Sequence, residues 1–295
     1  MHLVMVLFAL VVACGLRSQF WIDSAQSGNW SENWSGSWQT RWQNALFSFL
    51  LPPSLIVMTA IALLWMGETG QMLGLPTGWF SYALAISFLG YSIFLCLKLA
   101  WLGYRSIQTI SNYPQQNVFD YIVRTVDTPI MFAAQIGFWQ PETVVSHGLL
   151  NRLDSEHLAA VLTHEQAHTY YRDTFWFFWL GCIRQIGAWL PNTDLLWEEL
   201  LLLRELRADR WAAKQVDPIL LAESLLWSVS SSIEISENLC AAFSRHTTRD
   251  RLDQRIEFLL TGLDDLPQHS PWSFSWSLIV LGLTFLPLTS VLFHS

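Results

Sequence analysis

Residues 149–173, "LLNRLDSEHLAAVLTHEQAHTYYRD", decide how the chain is read. Asp154 or Ser155 can cap a helix N-terminus, Glu156 suits its first turn, and Leu158, Val161 and Leu162 recur at helical spacing. The helix therefore continues through "HEQAH", which sets His164 and His168 one turn apart on one face. Two imidazoles at i and i+4 can reach a single Zn²⁺, and Glu165 beside them can act as a general base. Alone, the pattern reads equally as a polar helix surface, so the metal reading needs a third ligand.

A second stretch supplies one. Residues 196–213, "LWEELLLLRELRADRWAA", are rich in helix formers and carry Glu205 and Asp209 one turn apart. Glu205 can bind the metal while Asp209 accepts the free ring N–H of a ligand histidine and fixes its tautomer. The competing reading pairs both acids with Arg204, Arg207 and Arg210 on a solvated face. His246, beside Arg245, is a candidate to stabilise an oxyanion. His157 is expected to be exposed in the first turn, and His2, His147, His269 and His294 have no partner at ligand spacing.

The surroundings are those of a membrane protein. Of 295 residues, 52% are hydrophobic and only 14% are charged, which is unusual in a soluble domain. A net charge of −8 with no Lys/Arg run argues against direct nucleic acid binding. Cys14, Cys96, Cys182 and Cys240 lack paired spacing, so neither a disulfide framework nor a cysteine metal site is expected.

Apolar runs at 1–16, 45–66, 79–103 and 272–293 predict about four transmembrane helices, with Pro52-Pro53 kinking the second or starting its straight part. In a rival reading "VVAC" is a lipoprotein cleavage box that leaves Cys14 lipidated, against which stands the missing basic segment before it. Three parts follow: a membrane region over 1–104, a polar domain over 105–271 that carries the candidate metal site, and a C-terminal span over 272–295.

Arg17, Arg41, Arg105 and Arg124 flank segments that the positive-inside rule puts in the cytoplasm, with the N-terminus outside. Trp30, Trp34, Trp38 and Trp42 recur every four residues, as an interfacial aromatic belt or as a Ser/Gly/Trp linker. Residues 175–190, "FWFFWLGCIRQIGAWL", test this map, because one further crossing there would separate Glu205 from the histidines. Arg184 in its middle is costly in lipid and favours a re-entrant hairpin or an interfacial helix paired with 195–203.

The run "SHGLLNRLDSEHLAAVLTHEQAHTYYRD" followed by "RELRAD" resembles the BlaR/MecR-type membrane metallopeptidases and, more distantly, the HtpX and CAAX-prenyl protease group. The likeness extends from about Pro129 to "RLDQRIEFLL" near Arg255. It implies His164, His168 and Glu205 as zinc ligands, Glu165 as catalytic base and Asp209 as supporting acid. BlaR/MecR receptors carry an extracellular antibiotic-sensing domain after the last span; this chain ends at Ser295, so β-lactam sensing is not expected of it.

The expectation is a mainly α, polytopic protein of the bacterial inner membrane with a helical, zincin-like cytoplasmic domain and one Zn²⁺ per chain. Its partners are the lipid bilayer and a protein or peptide substrate, for which the resemblance implies a transcriptional repressor. The alternatives are HtpX-like quality-control or prenyl-protein proteolysis, and a non-proteolytic zinc-bound membrane signalling scaffold.

Overall fold

The computed structural model describes residues 2–26, 38–67, 71–72, 75–76, 79–233 and 248–260, with 282, 284–289 and 291 near the C-terminus. His246, Trp30, Trp34 and most of the 272–293 segment lie outside the described residues. The chain forms two units: Met1–Leu99 with Leu180–Leu200 and Pro267–Ser295, and Ala100–Trp179 with Leu201–Leu266.

The first unit opens with α1 (His2–Gln26) and α2 (Trp38–Met66), followed by the two-residue antiparallel strands β1 (Gln71–Met72) and β2 (Leu75–Pro76) and by α3 (Trp79–Ser111). Among the described residues two helical stretches, Arg41–Met66 and Trp79–Ser111, are long and apolar enough to cross a membrane. The apolar part of α1, His2–Ser18, is shorter than that, and near the C-terminus only the four-residue α10 (Leu286–Thr289) is described as an element.

On α3 the side chains of Leu84, Ile86, Tyr91, Ile93, Phe94 and Leu97 are exposed. A helix that turns this many large apolar groups outward is stable in hydrocarbon and not in water. Pro52 and Pro53 lie inside α2 without ending it. The arginines used for orientation are less free than loop charges: Arg17 is buried in α1 with one N–H on the Phe49 carbonyl, and Arg41 pairs with Glu199 at 2.7 Å.

The second unit contains a sheet that the helical pattern of the sequence did not reveal. Strands β3 (Gln115–Val118), β4 (Tyr121–Val126), β5 (Ala133–Ile136) and β6 (Glu142–Ser146) lie in the order β3-β4-β6-β5, with β4 and β6 parallel and the other pairs antiparallel. β5 is an edge strand.

Ser146 ends β6 and caps α4 (His147–Arg152) by accepting from the Leu149 N–H. Gly148 is required there, since a Cβ would fall 2.2 Å from the Pro129 carbonyl oxygen. Asp154, not Ser155, caps α5 (Ser155–Tyr170), accepting from the N–H groups of Glu156 and His157. One face of α5, through Leu158 and Leu162, packs with Val123, Val145 and Leu149 of the sheet layer. The opposite face, at Ala160, meets Ala212 of α7 (Thr193–Ala212), Leu221 of α8 (Pro218–Ile233) and Leu259 of α9 (Thr248–Leu260). Helix α5 is thus held between two layers, which fixes the direction of its histidines.

Residues 175–190 resolve into α6 (Asp173–Ile186) and a turn that leads back into α7. Asp173 pairs with Arg207, the Arg204 guanidinium lies 4.8 Å from the Phe177 ring centre, and Arg184 bonds Asp194 at 2.8 Å. The two helices therefore form a hairpin, and α7 brings Glu205 back to the end from which α6 departs.

His157 is a correction to the sequence reading, being only 7% exposed. Its Nδ1 lies 2.8 Å from Asp154 and its Nε2 3.0 Å from Glu223 of α8. Burial disfavours its charge, yet the bonds to Glu223 and Asp154 prevail and raise its pKa. A group whose folded pKa is raised stabilises below its unfolded value of about 6.5 and loses that contribution as pH climbs through the folded value. Melting temperature measured from about pH 6 to about pH 9 should fall less steeply for His157→Gln than for wild type. Because both carboxylates are half exposed, the difference at the acidic end should be about 1 kcal/mol.

Candidate metal centre

The site is assembled on α5 and α7 where α7 returns from the hairpin. His164 Nε2 lies 3.2 Å from His168 Nε2 and 3.3 Å from Glu205 Oε2, and His168 Nε2 lies 3.7 Å from Glu205 Oε1. One donor atom from each of the three falls within 4.8 Å of the others. Zinc bonds of about 2.0–2.1 Å at tetrahedral angles separate neighbouring ligand atoms by about 3.3 Å, so this triangle has the size of a zinc site.

The far sides of the two rings explain why they converge. His168 Nδ1 lies 2.7 Å from Asp173 Oδ2, and His164 Nδ1 lies 2.9 Å from Asp209 Oδ1. With the ring protons on the nitrogens that face the carboxylates, as metal ligation requires, both Nε2 atoms turn lone pairs toward one point. Two such lone pairs cannot bond one another; a cation between them relieves the arrangement. The residues therefore fit a bound metal ion.

Electrostatics agree with this. Burial opposes charge on His164, but the Asp209 carboxylate and its hydrogen bonds outweigh it and raise its pKa to about 9. The same field favours a metal ion. Burial works against ionisation of Glu205, yet Arg204, His168 and Arg255 hold it well below the usual carboxylate range. Asp209 is fully buried and likewise lowered, against burial, by Arg255, which bonds both its oxygens at 2.7 Å. Arg255 also reaches Glu205 Oε2 at 3.3 Å. Thus α9 locks the two acids of α7 as anions.

Glu165 is 8% exposed and lines a cavity of about 260 Å³ together with His164, Glu205, Arg255, Phe132 and Ala133. It is the carboxylate of α5 that shares this space with the triangle without being one of its three donors.

Of the sequence-derived residues, His164, Glu165, His168, Glu205 and Asp209 come together, and His246 lies outside the described residues. Sequence reasoning missed Asp173 and Arg255. Asp173 is five residues after His168, a spacing without helical meaning; the link forms because Arg172 adopts φ 54° and turns the chain from α5 into α6. Arg255 carries no signal of its own, and only the packing of α9 brings it in.

Residues 104–202 match the sequence model of peptidase family M48. That match supports a metallopeptidase and agrees with the HtpX and CAAX protease side of the resemblance, whereas the BlaR/MecR likeness rests on the motifs alone. It includes His164, Glu165 and His168 and ends before Glu205, so the third donor stands on geometry. No curated protein matches the chain.

Proposed function

We propose that the chain is a membrane-bound zinc endopeptidase that cleaves a cytosolic or membrane-adjacent protein, in regulatory proteolysis such as removal of a repressor. The observation that carries this reading is the triangle of His164, His168 and Glu205 with Glu165 in the adjoining cavity. An HtpX-like quality-control role uses the same site and is equally consistent with the family match.

In this reading His164 and His168 hold the metal through Nε2 and Glu205 through its carboxylate, while Asp209 and Asp173 fix the two imidazole tautomers. Zinc, when bound, supplies a Lewis acid that polarises a carbonyl oxygen and lowers the pKa of water to about 7. Glu165 accepts the proton of the attacking water on its carboxylate and delivers it to the departing amide nitrogen. A polypeptide substrate is supported by β5, which is an edge strand of the sheet among the described residues. Phe132 and Ala133 line the cavity, so an extended chain adding to this edge through main-chain hydrogen bonds passes beside Glu165.

Purified protein in phospholipid vesicles should cleave an unfolded protein substrate, lose that activity on chelation and regain it on readdition of zinc. A zinc-loaded protein that cleaves nothing would leave the scaffold reading in its place. For orientation, we propose the N-terminus outside and the peptidase unit cytoplasmic. Reporter fusions after Gly74 and at the C-terminus should read outside, and fusions near Gln115 and Leu263 inside. Opposite readings at Gln115 and Leu263 would refute this topology.

A further inference from the structure

The second unit carries an aromatic surface that the metal centre does not use. The turn between β5 and β6 presents Phe138 and Trp139, and the first turns of α6 present Phe175, Trp176, Phe178 and Trp179. The six rings form one cluster: Phe138 lies 4.9 Å from Phe175, 5.1 Å from Phe178 and 6.4 Å from Trp179, and Trp139 lies 5.2 Å from Phe175. Gly137, at φ 139°, shapes the turn, and its missing Cβ leaves room for the Gln140 carbonyl oxygen, which a Cβ would approach to 2.7 Å.

The cluster faces outward. Trp139 is 76% exposed, Trp176 58% and Trp179 48%, whereas Phe177, on the opposite side of α6, is buried beneath Arg204. No charged side chain belongs to the cluster. Water is a poor neighbour for so many contiguous rings, and a patch of this kind marks a binding surface. Its composition selects the partner: tryptophan joins a large apolar body to one N–H donor and concentrates at the headgroup level of bilayers.

The chain also points there. The unit begins at Ala100, inside α3, a helix long and apolar enough to cross a membrane, and α6 leaves it at Trp179, directly after the cluster, for residues grouped with α2, the other described helix of that kind.

We propose that Phe138, Trp139, Phe175, Trp176, Phe178 and Trp179 form an interfacial docking surface that seats the peptidase unit on the phospholipid headgroup region. Asp173, which braces His168, precedes Trp176 and Trp179 on the same helix. At 1.5 Å per residue the rings lie about 5 and 9 Å along the axis from it. On the proposed peptidase reading, this seating restricts cleavage to juxtamembrane or membrane-tethered segments, because the metal centre is held close to the lipid.

The test is photo-crosslinking of the full chain in phosphatidylcholine/phosphatidylglycerol vesicles. Benzoylphenylalanine is placed at Trp139 or Trp176, with Glu156 as control, an exposed residue near the opposite end of α5, whose 16 residues span about 24 Å. Phospholipid adducts several-fold more abundant at Trp139 and Trp176 than at Glu156 are expected. Adducts to a second copy of the chain, or lipid adducts no more abundant than at Glu156, would overturn the proposal. The readout is position and not cleavage, so it succeeds or fails independently of whether the site is a peptidase.

Discussion

Glu165→Gln is expected to abolish measurable cleavage while leaving zinc content, folding and membrane insertion unchanged. Glu165 is outside the triangle of donors yet lines the same cavity, so the amide removes a base without removing a ligand. Loss of general base action costs about 10²- to 10⁴-fold in rate, and one carboxylate serving both proton transfers puts the effect at the upper end. The measurement is initial rate on one protein substrate beside metal content of the same preparations. Undiminished cleavage by Glu165→Gln would remove this residue from the mechanism, and a loss of zinc in the same variant would make it a ligand instead.

Alanine at His164, His168 or Glu205 should each remove the metal, since a zinc site built on three protein ligands does not survive with two. Asparagine at Asp173 or Asp209 should weaken zinc binding about 10- to 100-fold without abolishing it, because these acids orient ligands and do not supply them. Titration of the five variants against a competing chelator separates the two groups. Full zinc retention in Glu205→Ala would overturn the assignment of the third ligand. Equal loss in Asp173→Asn and His168→Ala would mean that Asp173 is itself a ligand.

The site was legible in sequence where one helical turn sufficed to relate its parts. His164 with His168, and Glu205 with Asp209, are pairs at i and i+4, and that spacing places each pair on one face before any tertiary contact forms. The long apolar α3 was legible for a similar reason, because an uninterrupted run reports on its own solvent. The sheet was not. Strands β3 to β6 are four to six residues long, and the parallel pairing of β4 with β6 joins residues such as Val123 and Thr143, which lie 20 positions apart.

His157 was misread because its exposure is set by Glu223 and Trp227 of α8, which lies more than sixty residues away. The partners of the arginines used for orientation were hidden by the same kind of distance, Arg41 finding Glu199 and Arg17 the Phe49 carbonyl across the chain.

By itself, then, the sequence determined two short-range patterns of metal-binding side chains and at least two helices fit for a bilayer. Tertiary structure decided that the patterns form one centre. The α6–α7 hairpin returns Glu205 to the histidines, the turn at Arg172 delivers Asp173 to His168, and α9 brings Arg255 to bind Asp209 and Glu205. The physical reason is the range of the interactions. Helical spacing is fixed by backbone geometry over four residues, whereas convergence of three helices is fixed by buried packing and ion pairs between residues that no local pattern relates.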